Sequence, residues 1–222
     1  MRIRHALIMA AGRGQRMMPL TNEIPKAMAI HEGSTLIAKG IDRLHGIIVN
    51  IHITVGYKGA MLAKHVIEHR VNSIFNTDGH GNAWWIFNTL LKELDEPLLV
   101  LTCDNIVELD TDLLSHDYHQ KKEPPCMIVP VSPVKGLEGD YIVQHMGLVK
   151  DISRTRPSPI YCSGIQVINP YKINQLMTPK EDFYEVWQQL IGQQMLHCSE
   201  VYPKKWFTVD TVEQLNQLNK EG

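Results

Sequence analysis

His5-Ala6-Leu7-Ile8-Met9-Ala10-Ala11-Gly12-Arg13-Gly14-Gln15-Arg16-Met17 carries an apolar run straight into a glycine loop, and Pro25-Lys26 follows shortly after. The run from His5 to Ala10 reads as a short buried strand, and glycines at 12 and 14 permit backbone geometries that a side chain obstructs. Backbone N–H groups can then converge on phosphate oxygens, as in anion-binding nests. Arg16 offers a forked donor and Lys26 a mobile point charge. Together they can neutralise a triphosphate and the charge that develops when its α-phosphorus is attacked. A dinucleotide fingerprint needs a third glycine where Met17 stands, and a Walker loop needs Gly-Lys followed by Ser or Thr, so both are excluded. A bare Gly-x-Gly also suits an ordinary strand-to-loop turn; the extension through Arg16-Met17 and Pro25-Lys26 favours the phosphate reading.

Outward from the loop, strand-like and helix-like segments alternate. Ile51–Val55 reads as a strand closed by Gly56-Tyr57, 58–69 as a helix, 71–75 as a strand and 83–94 as a helix. Leu98–Leu101 reads as a buried strand ending at Thr102-Cys103-Asp104-Asn105. Such alternation predicts a mostly parallel sheet with helices on both faces, and ligands on such sheets bind at the carboxyl ends of strands. Both the glycine loop and Asp104 fall at strand ends. After Asn105, Pro124-Pro125 and Pro133 punctuate shorter strands at 128–131, 141–145, 147–152 and 160–168, which suggest hairpin or mixed pairing. Helices at 182–193 and 211–219 enclose a returning strand at 206–210.

The 222 residues are 44% hydrophobic, enough for one well-filled core, and predict a single domain over 1–222 with a nucleotide half at about 1–107 and an acceptor half at about 108–222. A formal net charge of −2 argues against a nucleic-acid partner. No segment approaches the roughly 20 apolar residues of a membrane span. Cys103, Cys126, Cys162 and Cys198 are widely spaced, which predicts reduced thiols in a cytoplasm rather than a zinc or redox pair. Of the eleven histidines, His65/His69 and His116/His119 have helical spacing but lack a third ligand, so they read as surface residues.

Ala-Ala-Gly-x-Gly-x-Arg-Met followed by Pro-Lys resembles the nucleotidyltransferase superfamily of sugar-phosphate and phosphocholine nucleotidylyltransferases, and the resemblance is stronger in the N-terminal half. It implies a Rossmann-like three-layer α/β/α fold of the nucleotide-diphospho-sugar transferase type with a mostly parallel mixed sheet. It also implies an NTP and Mg²⁺ as ligands and in-line attack by an acceptor phosphate oxygen on the α-phosphorus. Arg16 and Lys26 would then be catalytic, with Ala10, Ala11, Gly12, Gly14, Gly81 and Asn82 at the nucleotide.

Asp104, within Cys103-Asp104-Asn105, resembles the family's strand-end metal aspartate; on the sequence alone it is equally a helix cap. The second metal carboxylate usually stands two residues after a tryptophan, where this chain has Thr208. Asp210 instead stands four residues after Trp206, similar to the ending of phosphocholine cytidylyltransferases. It either completes the metal site, one pleat further along the strand, or caps the next helix. Trp84 and Trp85 read either as core or as a stacking surface for a base or cationic acceptor. The resemblance places Arg156, with Arg154 as competitor, on the acceptor phosphate, and Ser163, Gly164 and Gly147 along the acceptor pocket. A turn or tight packing explains each of these equally well.

These residues predict a cytoplasmic Mg²⁺-dependent nucleotidylyltransferase, CTP favoured, acting on a phosphocholine-like or phospho-amino-acid acceptor for surface-polysaccharide or envelope decoration. The alternatives are a sugar-1-phosphate enzyme making an NDP-sugar, a non-catalytic nucleotide sensor motivated by Thr208, and an assembly domain that merely keeps the fold. An oligomer is compatible with the sequence.

Overall fold

His5–Met9 forms the strand its apolar run predicts, with Ala6, Leu7 and Ile8 all buried, as expected for a strand covered on both faces. The computed structural model describes residues 2–134 and 139–221. Its strands in chain order are β1 (His5–Met9), β2 (Ile30–His31), β3 (Ser34–Thr35), β4 (Asn50–Val55), β5 (Ser73–Asn76), β6 (Leu98–Thr102) and β7 (Asn105–Glu108). There follow β8 (Cys126–Val131), β9 (Tyr141–His145), β10 (Leu148–Ser153), β11 (Tyr161–Ile168), β12 (Leu196–Cys198) and β13 (Lys205–Thr208). The helices are α1 (Leu20–Glu23), α2 (Leu36–Leu44), α3 (Gly59–Glu68), α4 (Trp84–Asn88), α5 (Thr111–Gln120), α6 (Pro170–Leu176), α7 (Phe183–Gly192) and α8 (Val212–Glu221). The fold is α/β with a mixed sheet and helices packed on it.

Two compact units divide the chain. The first comprises Arg4–His80, Leu101–Val107 and the segment from Phe207 onward. Here β1 pairs parallel with β4, and β4 parallel with β5, in the registers Leu7↔His52 and Ile53↔Ile74. Just past β6, the Cys103 N–H donates to the Met9 carbonyl (3.0 Å), so the chain after β6 lies beside the end of β1. Thr35 caps α2, its hydroxyl accepting from the Ala38 N–H, and α2 buries Leu36, Ile37, Ile41 and Leu44 along one face. A satellite core of Met17, Ala29, Leu36, Ile106, Val209 and Leu215 gathers segments from the beginning, middle and far end of the sequence. Burial of these side chains holds the loop around Met17 and the segment around Val209 to one body.

The second unit comprises Gly81–Val100 and Glu108–Trp206, with the residues before Arg4. Its strands are largely antiparallel: β11 pairs with β6 and β8, and β10 with β9 and β12, while β12 and β8 run parallel. This is the hairpin and mixed pairing that the proline-punctuated stretch predicts.

Three expectations require correction. The helix expected over 83–94 breaks at Thr89, which is extended; its hydroxyl accepts from the Leu91 N–H and starts a separate 3₁₀ turn over Leu90–Glu93. The returning strand ends at Thr208, so Asp210 is not carried on its pleat. Gly147 lies in the tight β9–β10 turn rather than in a strand: Met146 and Gly147 both have positive φ (50° and 76°) between the paired residues His145 and Leu148. That is the two-residue hairpin geometry, which demands a residue tolerant of positive φ at both central positions.

Candidate active site

At the carboxyl end of β1 the chain turns through Ala10-Ala11-Gly12-Arg13-Gly14. Ala10 is anchored by its N–H to the Thr54 carbonyl and hydroxyl oxygens (3.2 Å each), and the Ala11 carbonyl accepts from the Tyr57 N–H (3.0 Å). A Cβ on Gly56 would lie 2.8 Å from the Ala11 oxygen, so the loop after β4 presses directly on the loop after β1. Among the described residues, the N–H groups of Gly12, Arg13 and Gly14 find no acceptor. Gly12 has nothing within 4 Å of the position its Cβ would occupy. Free donors beside open space are what a phosphate-cradling loop requires.

Gly14 has a different job. Its φ of 64° is left-handed, and a Cβ there would lie 2.7 Å from Lys26 Cβ. The glycine lets the Lys26 stem pass, and Thr21 Oγ1 secures the turn by donating to the Gly14 carbonyl (3.0 Å). Lys26 then delivers its Nζ to Asp104 Oδ2 (2.5 Å) and Asp210 Oδ1 (3.0 Å), while Arg16 donates to the same Asp210 oxygen (2.9 Å). Four side chains from widely separated parts of the sequence thus meet at one point of one unit. Lys26 is 11% exposed and each aspartate 19%. Burial works against the Lys26 charge, but the charge and hydrogen bond of Asp104, then the charge of Asp210, outweigh it and hold the ammonium above the usual lysine range. Burial, with the Asp104 charge behind it, pushes the neighbouring Cys103 thiol up to about 12.

Both open questions about the aspartates have a geometric answer. Asp104 lies in the turn between β6 and β7, so there is no helix for it to cap; its carbonyl accepts from the Val209 N–H (3.0 Å), which fixes the approach of Asp210. The first turn of α8 is served by Thr211 and Gln214: the Gln214 N–H donates to Thr211 Oγ1, and Gln214 Oε1 accepts from the N–H groups of Asp210 and Thr211. This reciprocal capping box leaves the Asp210 carboxylate for Lys26 and Arg16. Two carboxylates converging on a single ammonium are also a donor pair suited to a hard divalent ion. Mg²⁺ typically takes one or two carboxylates and completes its shell with water and substrate phosphates. Among the described residues no cluster of three or more His, Cys, Asp or Glu is placed to hold a metal.

The remaining expected residues lie in the other unit. Gly81 and Asn82 are pinned to the start of α7 and the residues just before it: the Gly81 N–H donates to Glu181 Oε2, Asn82 Oδ1 accepts from the Phe183 N–H, and a Cβ at Gly81 would lie 2.2 Å from the Glu181 carbonyl. Trp85 is core, 1% exposed and edge-on to Phe183, whereas Trp84 is half-buried. Ser163 is buried, its hydroxyl donating to the Val129 carbonyl and accepting from the Ile165 N–H; Gly164 follows at φ 78° where the β11–β8 register shifts. Arg156 is exposed and pairs with Asp151 (3.1 Å), as Arg154 does with Asp140 (3.0 Å). Asn82, Asp140, Asp151, Asp182, Tyr184 and Trp187 line a cavity of about 660 Å³ in this unit.

Sequence reasoning missed Tyr57, Thr21 and the Thr211/Gln214 cap. The cap was readable as Thr-x-x-Gln before an apolar-periodic stretch. Tyr57 was readable only as a strand stop, though a second glycine turn at a parallel strand's carboxyl end marks a ligand-facing loop.

A parallel α/β unit with a donor-rich glycine loop, two cations and two gathered carboxylates at its strand ends has the groups that handling phosphate calls for. Residues 5–137 match the nucleotidyl transferase family, and the chain belongs to it. The bifunctional protein GlmU of Methanococcus aeolicus is 28% identical over 114 residues, 50% of this chain and 28% of that protein. A mannose-1-phosphate guanyltransferase of Yarrowia lipolytica is 24% identical over 246 residues, 97% of this chain and 65% of that protein. The chain therefore spans little more than a quarter of the first and just under two thirds of the second. The structure of CTP:phosphocholine cytidylyltransferase from Streptococcus pneumoniae superposes with a TM-score of 0.77 at 21% identity, covering 100% of this chain and 99% of that one, a likeness of fold. No helix among the described residues is long and apolar enough to cross a membrane.

Proposed function

We propose that the chain transfers a nucleoside monophosphate from an NTP, CTP by preference, to a small phosphorylated acceptor, releasing pyrophosphate. The observation that carries this reading is the meeting of Lys26, Arg16, Asp104 and Asp210 beside the glycine loop. Asp104 and Asp210 would hold Mg²⁺, which when bound would supply charge neutralisation at the phosphates. The Gly12–Gly14 N–H groups bind and orient the triphosphate. Lys26 and Arg16, freed from the carboxylates, turn to the phosphate oxygens as the acceptor's phosphate oxygen bonds to the α-phosphorus and the bond to the bridging oxygen breaks. Positioning and charge stabilisation suffice for this chemistry, so no nucleophilic side chain is required.

For the acceptor, the cavity lined by Asp182, Tyr184 and Trp187 supports a cationic amine: Asp140 and Asp151 are answered by arginines, whereas Asp182 has no ion-pair partner among the described residues. Aromatic faces beside an unpaired carboxylate suit an ammonium group. The phosphate of such an acceptor would meet Arg156, and Gly147, Ser163 and Gly164 would shape its surroundings. The product would serve surface-polysaccharide or envelope decoration in a cytoplasm that keeps the four free thiols reduced. A second reading, a sugar-1-phosphate acceptor, is favoured by the mannose-1-phosphate guanyltransferase relative.

The test is pyrophosphate release with Mg²⁺ across CTP, UTP, GTP, ATP and dTTP, each crossed with phosphocholine, phosphorylated amino acids and sugar-1-phosphates. Release with CTP and an amine-bearing acceptor is expected. Release only with a sugar-1-phosphate moves the chain to the second reading, and nucleotide binding without release in any combination moves it to a sensor.

A further inference from the structure

Until a ligand arrives, Arg16 and Lys26 are answered by carboxylates, two positive side chains against two negative ones. Two further cations lie in the same unit. Arg13, between the two loop glycines, sets its guanidinium carbon 5.4 Å from the centroid of the Tyr57 ring, and Lys58 sets its Nζ 5.6 Å from the same centroid. Among the described residues neither cation has a carboxylate partner.

Tyr57 is firmly placed. Its N–H donates to the Ala11 carbonyl, its hydroxyl donates to the Thr21 carbonyl (2.9 Å), and the Thr21 hydroxyl donates to the Gly14 carbonyl, so ring and glycine loop are braced against each other. Lys58 adopts a left-handed φ of 52°, a sparsely populated conformation for a lysine, and its side chain makes no cap for α3. Strain of this kind persists where the surroundings impose it, and here it brings a second cation to the ring. An aromatic face holds a cation more weakly than a phosphate oxygen does, so the ring positions both charges without committing them.

We propose that Arg13 and Lys58, held on Tyr57, form a second phosphate subsite that takes the β- and γ-phosphates. This rests on the nucleotidyl-transfer reading. As the acceptor oxygen bonds to the α-phosphorus, the electron pair of the breaking bond stays with the bridging oxygen, and the departing pyrophosphate gains charge. Arg13 and Lys58 add their charge to that of Arg16 and Lys26 in meeting it. Arg13 is thus a phosphate-binding residue and Tyr57 a positioning residue.

Isothermal titration of inorganic pyrophosphate, tripolyphosphate and CMP tests the subsite on the full chain and on Arg13→Gln, Arg13→Lys, Lys58→Gln, Tyr57→Phe and Tyr57→Leu, with thermal unfolding as the check on folding. Arg13→Gln should weaken pyrophosphate and tripolyphosphate by about tenfold, as loss of one charge-assisted hydrogen bond does, and leave CMP within about twofold. Arg13→Lys should recover part of the loss. Tyr57→Phe, which keeps the ring, should bind pyrophosphate as the wild type does, and Tyr57→Leu should not. The subsite is overturned if the wild type binds no pyrophosphate, if Arg13→Gln binds it unchanged, or if Arg13→Gln loses pyrophosphate and CMP in equal proportion. Wild-type turnover with an unaffected Arg13→Gln removes the subsite and leaves the transfer reading standing. Arg13-dependent pyrophosphate binding without turnover on any NTP does the reverse.

Discussion

In the unit built on β1, the residues singled out from sequence are spent on one another: Lys26 on Asp104 and Asp210, Arg16 on Asp210, Gly14 on the Lys26 stem. In the strand-rich unit, the corresponding residues are spent on the fold: Ser163 on Val129 and Ile165, Gly147 on a hairpin, Gly81 and Asn82 on the start of α7 and the residues just before it. A polar side chain whose hydrogen bonds go to backbone is explained by packing, whereas charges gathered from distant parts of the sequence at a loop with orphaned donors demand a ligand. The contrast predicts that chemistry is concentrated in the first unit and acceptor fit distributed over the second.

The widest gap should separate Lys26→Ala from Arg156→Ala. Removing the group that stabilises developing phosphate charge should cost about 10²–10³ in turnover, while an exposed arginine already paired with Asp151 should cost roughly tenfold or less, mostly in acceptor KM. Steady-state pyrophosphate release measures both, and equal losses would erase the contrast.

A smaller effect is expected from His52, in the first unit. Burial, then the neighbouring His5, lowers its pKa to about 4. The folded state keeps His52 neutral while the unfolded chain protonates near 6.5, so between those values the unfolded chain binds more protons and stability rises with pH. The contribution is complete above about pH 6.5 and is lost as pH falls toward 4, on the order of 2 kcal/mol. Denaturant unfolding at pH 4.5 and 7.5 should show that loss in the wild type and a reduced one in His52→Gln.

Next come the two glycines of the loop. Gly14→Ala meets Lys26 Cβ at 2.7 Å in a left-handed conformation and should destabilise by about 1–2 kcal/mol. Gly12→Ala enters open space and should leave unfolding unchanged within about 0.5 kcal/mol while weakening nucleotide binding. Equal destabilisation by both would mean that Gly12 is structural. Thr211→Ala should cost about 1 kcal/mol for a lost cap, detectable in the unfolding midpoint. Asp210→Asn, by contrast, should leave that midpoint nearly unchanged and lower Mg²⁺-dependent turnover.

The parallel part of the fold was legible because β1, β4 and β6 are short apolar runs that end in glycine or acidic turns, and burial on both faces writes that pattern plainly. Lys26 and Arg16 were legible because their spacing from the glycines is local, and Asp104 because it closes the short apolar run of β6. Asp210 was legible only as a carboxylate with two roles, since what decides between them is Gln214 reaching back to cap α8. The break at Thr89 was hidden because a threonine hydroxyl serves a helix interior or a new cap equally well, and tertiary context chooses. Tyr57 and Thr21 were hidden because their partners are backbone carbonyls, which no side-chain pattern reveals.

Lys26 and Asp210 are separated by 184 positions, yet share one hydrogen bond above a core that includes Val209 and Leu215. During synthesis, Lys26 and Asp104 therefore leave the ribosome well before their third member exists, by about 5–20 s at ordinary elongation rates. Through that interval the early glycine loop is present without its second carboxylate or the apolar residues that seat it. Competence would arrive as a late, all-at-once event when residues 207–215 dock, so an incomplete nascent chain would not spend nucleotide.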